Sequence, residues 1–250
     1  MSRPRSVNVV TYNIHKGLSQ FNRRLVLYEI RDRLKLLDAD VAFLQEVQGK
    51  HERNARRHVT WPEAAQHDFL THEGSHCVYG MNCVYQHGHH GNAVVSRHPI
   101  PAWENIDISH HPIESRGLLH CEVRVDGWKK PLHCINVHLG LWGRSRRFQL
   151  EWLADRIRAA VPKSGPVIVA GDFNDWQKKA SDYLKAELGL YEVFEEVEGR
   201  PARTYPAKMP FFTLDRIYVR DLAVESVERH AGERWTRLSD HVALAARLSR

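Results

Sequence analysis

The chain has 250 residues, 42% hydrophobic and 26% charged, which excludes a disordered or fibrous protein and is enough for a substantial core. Lysine and arginine total 36 against 30 aspartate and glutamate, a net charge of +6 that favours encounters with anions such as nucleic acid, phosphorylated lipids or an anionic membrane surface. Apolar runs such as residues 41–44 and 167–170 are too short to cross a bilayer. The two arginines within the first six residues are followed by no signal-peptide core. Cys77, Cys83, Cys121 and Cys134 form no C-x-x-C pair, so reduced thiols and a cytoplasmic location are the default expectation.

In chain order, residues 7–14 (VNVVTYNI) are rich in β-branched side chains and predict a buried strand. Residues 25–37 place leucine and isoleucine at helical spacing, residues 38–40 (DAD) break that pattern, and residues 41–45 (VAFLQ) predict a second strand. Strand, helix, strand is an α/β opening. Residues 51–91 are polar and histidine-rich and predict a long irregular surface excursion, whereas residues 92–96 (NAVVS) predict a strand. Residues 118–125 and 131–137 predict a strand pair joined at Asp126-Gly127. Residues 146–161 carry Phe148, Leu150, Leu153, Ile157 and Ala160 on one helical face, and Trp152 also reads as helix core. A strand at 167–170, a helix at 178–188 and strands at 213–219 and 242–248 complete the pattern. Without a linker or a repeat, a single domain spanning residues 1–250 is expected.

Polar groups recur where these strands end: Asn13, Glu46, His138, Asp172 with Asn174, Asp215, and Asp240-His241. Functional side chains gather where the strands of a layered fold reach one edge. Glu46 directly follows an apolar run, and burying a lone carboxylate is costly unless a hard cation or an arginine offsets it. In Gly171-Asp172-Phe173-Asn174-Asp175, an extended path would send Asp172 and Asn174 to the same side; an Asx-rich turn is the alternative. A carboxylate there can orient a water and an amide can donate to a phosphoryl oxygen. His241 with a partner carboxylate such as Asp215 has the logic of an Asp–His dyad. With seventeen histidines, most, including His51, His58, His67 and the run His87, His89 and His90, are expected on the surface, and their spacing fits no standard zinc pattern. The chain lacks a Walker phosphate loop, a nucleophile elbow and a dinucleotide fingerprint, so phosphate would be held by side chains and metal.

The segments TYNIHKG, LQEV, GNAVVSRHPI, NVHLG, GDFND, LDRIYV and LSDH, in that order, resemble the endonuclease/exonuclease/phosphatase superfamily of DNase I-like fold, particularly its small bacterial members. The resemblance runs from about residue 9 to about residue 244. It implies a four-layered α/β sandwich, two packed β-sheets flanked by helices, and Mg²⁺- or Mn²⁺-dependent hydrolysis of a phosphodiester or phosphomonoester. It makes Glu46 the principal metal ligand with Asn13 beside it and Asp240 a further carboxylate. It gives Asp172 and Asn174 the attacking water and the phosphate, His138 and His241 phosphate contact and proton transfer, and Asp215 the orientation of His241. The family's abasic-site endonucleases carry a Y-x-P-N segment where this chain has Asn136-Val137-His138-Leu139, and a tyrosine where it has His89-His90. Both departures count against abasic-site repair. The histidine form resembles DNase I, the sphingomyelinases and the deadenylases.

Substrate class stays open between nucleic acid and a phospholipid or small phosphodiester, with peripheral contact to an anionic membrane and no obligate protein partner expected. Trp142, Arg144, Arg146, Arg147 and Trp176 can form an aromatic, basic rim that suits stacked bases or a lipid headgroup. Arg203, in a loop at residues 200–205, is a candidate phosphate contact, Arg97 reads as a structural ion-pair member, and Arg116 reads either way. The competing class is a non-catalytic nucleic-acid- or phospholipid-binding module on the same fold.

Overall fold

The computed structural model describes residues 6–250; the arginines at positions 3 and 5 lie outside the described residues. The first sheet contains β1 (Ser6–Asn13), β2 (Val41–His51), β3 (His76–Tyr85), β4 (Gly88–Ser96), β11 (Ala223–His230) and β12 (Ala243–Ser249), in the order β11-β12-β1-β2-β4-β3. The second contains β5 (Ala102–Asp107), β6 (Gly117–Val123), β7 (Leu132–His138), β8 (Val167–Asp172), β9 (Tyr191–Glu192) and β10 (Asp215–Arg220), in the order β5-β6-β7-β8-β10-β9. Each sheet has one parallel pair, β1–β2 and β7–β8. Parallel neighbours need a crossover, and it is supplied by α1 (Leu27–Leu36) and α4 (Gly143–Ala160) respectively.

Strand alternation builds the layers. Val9, Phe43, Leu119, Ile168, Ala170 and Ile217 meet in the core between the two sheets. Their neighbours Val10 and Leu44 face α1 with Leu27 and Ile30, and Ile135, Val167 and Val169 face α4 and α5 (Ala180–Leu188) with Leu153, Ile157 and Leu184. The result is helix, sheet, sheet, helix: the four-layered α/β sandwich that the sequence predicts. One polar clip crosses the middle layer. Asn136 on β7 donates to Leu44 O (2.9 Å) and Ala93 O (2.8 Å) and accepts from Gln45 Nε2 (2.8 Å), and all of these residues are buried. A satisfied buried amide of this kind fixes the sheets' register against each other.

Three expectations are corrected. Residues 51–91 are not an irregular excursion: they contain α2 (Glu52–Arg57), α3 (Gln66–Leu70), β3 and the first residues of β4. The edge strand β3 is half-exposed along most of its length, so polar side chains mask its period. Phe148 and Trp152 are not helix core; they lie on the outer face of α4, Phe148 half-buried and Trp152 45% exposed. The β6–β7 connection is an eight-residue loop, 124–131, because pairing stops at Val123 and Leu132.

Candidate active site

Five inner strands and the turn before a sixth bring polar side chains to one edge of the sandwich. Strand register places the groups of the second sheet: His138 is paired with Asp172 across β7–β8, and Asp215 with Asp172 across β8–β10, so three polar side chains stand in a row. The backbones of β7 and β8 approach so closely that a Cβ at Gly171, whose φ is +143°, would lie 1.9 Å from Val137 O. Only glycine fits there. From the first sheet come Asn13, the last residue of β1, and Glu46. The latter sits inside β2 rather than beyond it, at a bulge between Leu44 and Val47 and with a φ of 56°. A bulge re-aims one side chain of a strand, and here it turns Glu46 toward Asn13.

Asn13 joins the two sheets' carboxylates: its Nδ2 donates to Glu46 Oε1 at 3.3 Å and to Asp172 Oδ2 at 3.2 Å. Its Oδ1 accepts the His15 amide at 3.1 Å, so the amide serves as a bridge and its oxygen is already engaged. Asp172 Oδ2 also faces His138 Nε2 (3.5 Å) and His241 Nε2 (3.7 Å), and the other ring nitrogen of His241, Nδ1, meets Asp215 Oδ2 at 2.9 Å. The Ser239 hydroxyl holds this corner together by donating to Asn13 O (2.7 Å) and accepting the His241 amide (3.1 Å).

Burial and neighbouring charge set the protonation states. Burial opposes a charged imidazole at His241, but Asp215 and Asp172 prevail and hold its pKa near 10. Burial pushes the Asp172 carboxyl up to about 6, with His241 pulling the other way and Asp215 adding to the rise. His138 is driven well below the ordinary histidine value by burial and by Arg116. Burial also opposes ionisation of Glu46, yet Lys16, His138, His15 and His241 together keep it below the usual carboxylate range. The site therefore carries an imidazolium at His241 and a neutral imidazole at His138 at neutral pH.

The donor set fits a hard divalent cation. Glu46 Oε2 is buried without a hydrogen bond, with Lys16 Nζ at 3.4 Å, and oxygen-rich sites of this type suit Mg²⁺ or Mn²⁺. Among the described residues, the one group whose ligand atoms all lie within 4.8 Å of one another is Asp172, Asp215 and His241. That trio is already joined by the Asp215–His241 hydrogen bond, which an ion bound to His241 Nδ1 would have to break. Glu46 is the better-prepared oxygen ligand.

Asn13, Glu46, His138, Asp172, Asp215 and His241 are thus brought together. Asp240 is half-buried beside them, and its charge raises both His241 and Tyr205. Asn174 is close, but the extended path expected for it is overturned. Its φ is 48°, its amide bonds Asp172 Oδ1 (3.0 Å) and its Nδ2 bonds Leu139 O (2.9 Å), which is the Asx-turn alternative. Trp176 is 37% exposed and meets Tyr205 and Phe212 edge-on at 6.2 and 4.6 Å, and Tyr205 lies 5.0 Å from His241. The Arg203 side chain is exposed and makes no hydrogen bond or ion pair among the described residues. Arg97 pairs with Asp38 and Asp40, and Arg116 binds Glu114 and Leu139 O. Sequence reasoning placed Ser239 in the proton-transfer stretch Ser239-Asp240-His241 but assigned no part to Lys16 or Asn136, although each falls within a quoted segment. Their signal is position next to a strand end, and chemical type alone does not separate them from ordinary surface groups.

Two packed mixed sheets with the site at one strand-end edge define a DNase I-like α/β sandwich. The Endonuclease/Exonuclease/phosphatase family model matches residues 10–241, and the chain belongs to that family, whose members are hydrolases of phosphate esters. It is 44% identical to the YbhP protein of Escherichia coli K12 over 244 residues, 97% of this chain and 96% of that one. Among solved structures, the endonuclease/exonuclease/phosphatase of Beutenbergia cavernae superposes with a TM-score of 0.76 at 19% identity, covering 98% of this chain and 72% of that one. The D. rerio TDP2 complexed with single strand DNA product gives 0.72 at 17% identity, with 98% and 99% covered. No helix among the described residues is long and apolar enough to cross a membrane, and the four cysteines are free thiols.

Proposed function

We propose that the chain is a Mg²⁺- or Mn²⁺-dependent phosphodiesterase acting as a single unit over residues 1–250 in the cytoplasm. The observation that carries this reading is the Asp215–His241–Asp172 relay facing Glu46 across the Asn13 bridge. Glu46 would hold the cation, with Asp240 as a further carboxylate, and the bound ion supplies Lewis-acid polarisation of the phosphoryl oxygen. Asp172, the carboxylate with a raised pKa, takes the proton of the attacking water. His241, kept cationic by Asp215, stabilises the charge that builds on the phosphoryl oxygens, and neutral His138 donates a hydrogen bond to the same group. Asn174 holds the β8 turn against the β7 loop so that Asp172 keeps its aim.

The aromatic wall of Trp176, Tyr205 and Phe212 beside His241 favours a substrate that carries rings next to the phosphate. Nucleic acid is therefore placed before a phospholipid or other small phosphodiester. Arg203 stays a candidate contact to a more distant phosphate. Hydrolysis of bis-p-nitrophenyl phosphate with and without Mg²⁺, comparing the wild type with Glu46→Ala and His241→Ala, tests the chemistry. Metal-dependent turnover lost in both variants is expected; metal-free turnover, or turnover indifferent to both substitutions, overturns the reading, and no turnover at all leaves a binding module. A substrate panel of DNA, RNA and anionic phospholipid vesicles then separates the substrate classes, with single-stranded nucleic acid expected to be cleaved fastest.

A further inference from the structure

Behind the carboxylate centre, a cavity of about 340 Å³ opens between the N-terminal turns of α4 and α5. Leu139 and Phe173, the residues directly after His138 and Asp172, belong to its wall together with Leu150 and Tyr183. Phosphodiester hydrolysis as proposed above uses none of these groups. The volume is at the small end of the range for organic ligands, roughly 300–1,000 Å³.

The polar lining is mostly cationic: Arg144, Arg146, Arg147 and Lys179 against the single carboxylate of Asp175. That carboxylate is already engaged, with Oδ2 accepting the Ala180 amide at 2.8 Å. Arg146 is only 6% exposed, an unusual burial for a guanidinium. Its Nη1 donates to Gly140 O (3.2 Å) and Leu141 O (2.7 Å), while Nε and Nη2 have no partner among the described residues. A second unmet set of donors adjoins it. Helix α4 starts without a side-chain cap and without an acidic residue in its first turn, and the amides of Gly143 and Arg144 find no acceptor among the described residues. A fork of N–H groups open to solvent beside a helix N-terminus is complementary to an anion with several oxygens.

We propose that this cavity is a second ligand site, specific for a phosphate monoester that carries an apolar or aromatic group. The phosphate sits against Arg146 Nε and Nη2 and the first amides of α4, with Arg147 and Lys179 drawing it in from the rim. The organic group rests on Leu150, Phe173 and Tyr183. The site is separate from the hydrolytic centre, whose Glu46, Asp172 and Asp215 repel a phosphate dianion when no cation is bound.

Calorimetric titration of the full chain in EDTA, with phenyl phosphate and with inorganic phosphate, tests the assignment independently of any catalysis. Saturable binding of one phenyl phosphate is expected, tighter than that of inorganic phosphate. The double variant Arg147→Glu/Lys179→Glu should weaken it by about tenfold or more, whereas Arg56→Glu/Arg57→Glu on α2 makes the same change of net charge far from the cavity and should weaken it less. Arg146→Lys, which keeps the charge but removes the fork, should also reduce affinity. Arg146 supports the Gly140 and Leu141 carbonyls, so this variant is read only after its thermal melt matches the wild type; the rim pair keeps the test decisive if it does not. No saturable binding, or equal losses in the two double variants, overturns the assignment. Equal affinity for the two probes overturns its apolar half. A chain that hydrolyses no phosphodiester yet binds phenyl phosphate in this way would sink the catalytic reading and leave the second site standing.

Discussion

The eight inner strands and the four edge strands of the two sheets are built on different physical terms. Inner strands such as β7 and β8 are buried on both faces along nearly their whole length, whereas the edge strands β5 and β11 are exposed or half-exposed at every position. Each of the six groups gathered at the centre stands on, or within two residues of, an inner strand: Asn13 on β1, Glu46 on β2, His138 on β7, Asp172 on β8, Asp215 on β10 and His241 just before β12. The edges carry none of them. A constellation that must hold oxygen and nitrogen atoms to a few tenths of an ångström needs a backbone fixed on both sides by hydrogen bonds and on both faces by packing, and only inner strands supply that. The difference implies that a single change at an inner strand end disturbs function, while comparable changes at an edge pass with little effect.

The largest departure is expected at Asp215. Asp215→Asn keeps the shape of the side chain but removes the charge that holds His241 protonated, and it can present an N–H to Nδ1. A fall in kcat of about 10³-fold is expected for bis-p-nitrophenyl phosphate at saturating Mg²⁺. A loss smaller than about tenfold would mean that the relay is ornamental and that the inner-strand geometry serves stability alone.

Two pairs of substitutions compare the regions by stability. Asn136→Ala removes three buried hydrogen bonds of the inter-sheet clip and should cost roughly 2–4 kcal/mol in urea denaturation. Asn105→Ala on edge strand β5 removes bonds to Met81 O and Asn82 at 3.3 and 3.2 Å and should cost less than about 1 kcal/mol. Likewise Gly171→Ala must push β7 from β8 and should cost more than about 2 kcal/mol together with activity. Gly127→Ala, with a φ of +79° and open space around the new methyl, should cost about 1 kcal/mol and leave kcat unchanged. Equal costs within either pair would contradict the division between interior and edge.

Legibility follows the same line. The eight strands read from the sequence are the eight inner ones, because burial on both faces leaves continuous runs such as VIVAG and VAFLQ. The four that were missed, β3, β5, β9 and β11, are the four sheet edges. Their one-sided burial mixes His, Asn and Glu into the pattern, as in HCVYGMNCVY and AWENID, and tertiary pairing decides what local pattern does not. The site groups were legible because they terminate readable strands and recur in family segments. The bulge at Glu46, the left-handed turn at Asn174 and the bridge made by Asn13 Nδ2 were not, since each involves a neighbour distant in sequence: β4 for the first, Leu139 for the second, Glu46 and Asp172 for the third. Trp152 was misread because helical spacing gives a face but not the width of the buried stripe.

A smaller effect should appear in the pH dependence of stability, measured in EDTA. The His241 pKa is raised from 6.5 to about 10 in the fold, so its contribution is complete below pH 6.5 and is lost as pH rises through about 10. The raised Asp172 pKa acts in the same direction, its contribution disappearing between 3.8 and about 6. Denaturation midpoints should therefore fall from pH 7 to pH 10 more steeply for the wild type than for His241→Gln, which lacks the titrating ring. Parallel curves would show that the charged imidazole is not held by the paired carboxylates of β8 and β10.

The smallest effect is expected at the outer margin of the first sheet. Glu225 on edge strand β11 meets Arg247 Nε at 2.9 Å, and both side chains are about half exposed, at 40% and 51%. Water and salt screen such a pair, and ordering two long side chains offsets much of the attraction. Arg247 also donates to Ser6 Oγ at 3.0 Å, so it keeps a partner when the carboxylate is removed. Glu225→Ala should shift urea stability by no more than about 0.5 kcal/mol and leave metal-dependent turnover unchanged. A shift of 2 kcal/mol or more, roughly the cost assigned to the Asn136 clip, would mean that the edge helps to hold the inner strands in register, and the site geometry would then depend on the whole sheet rather than on its centre.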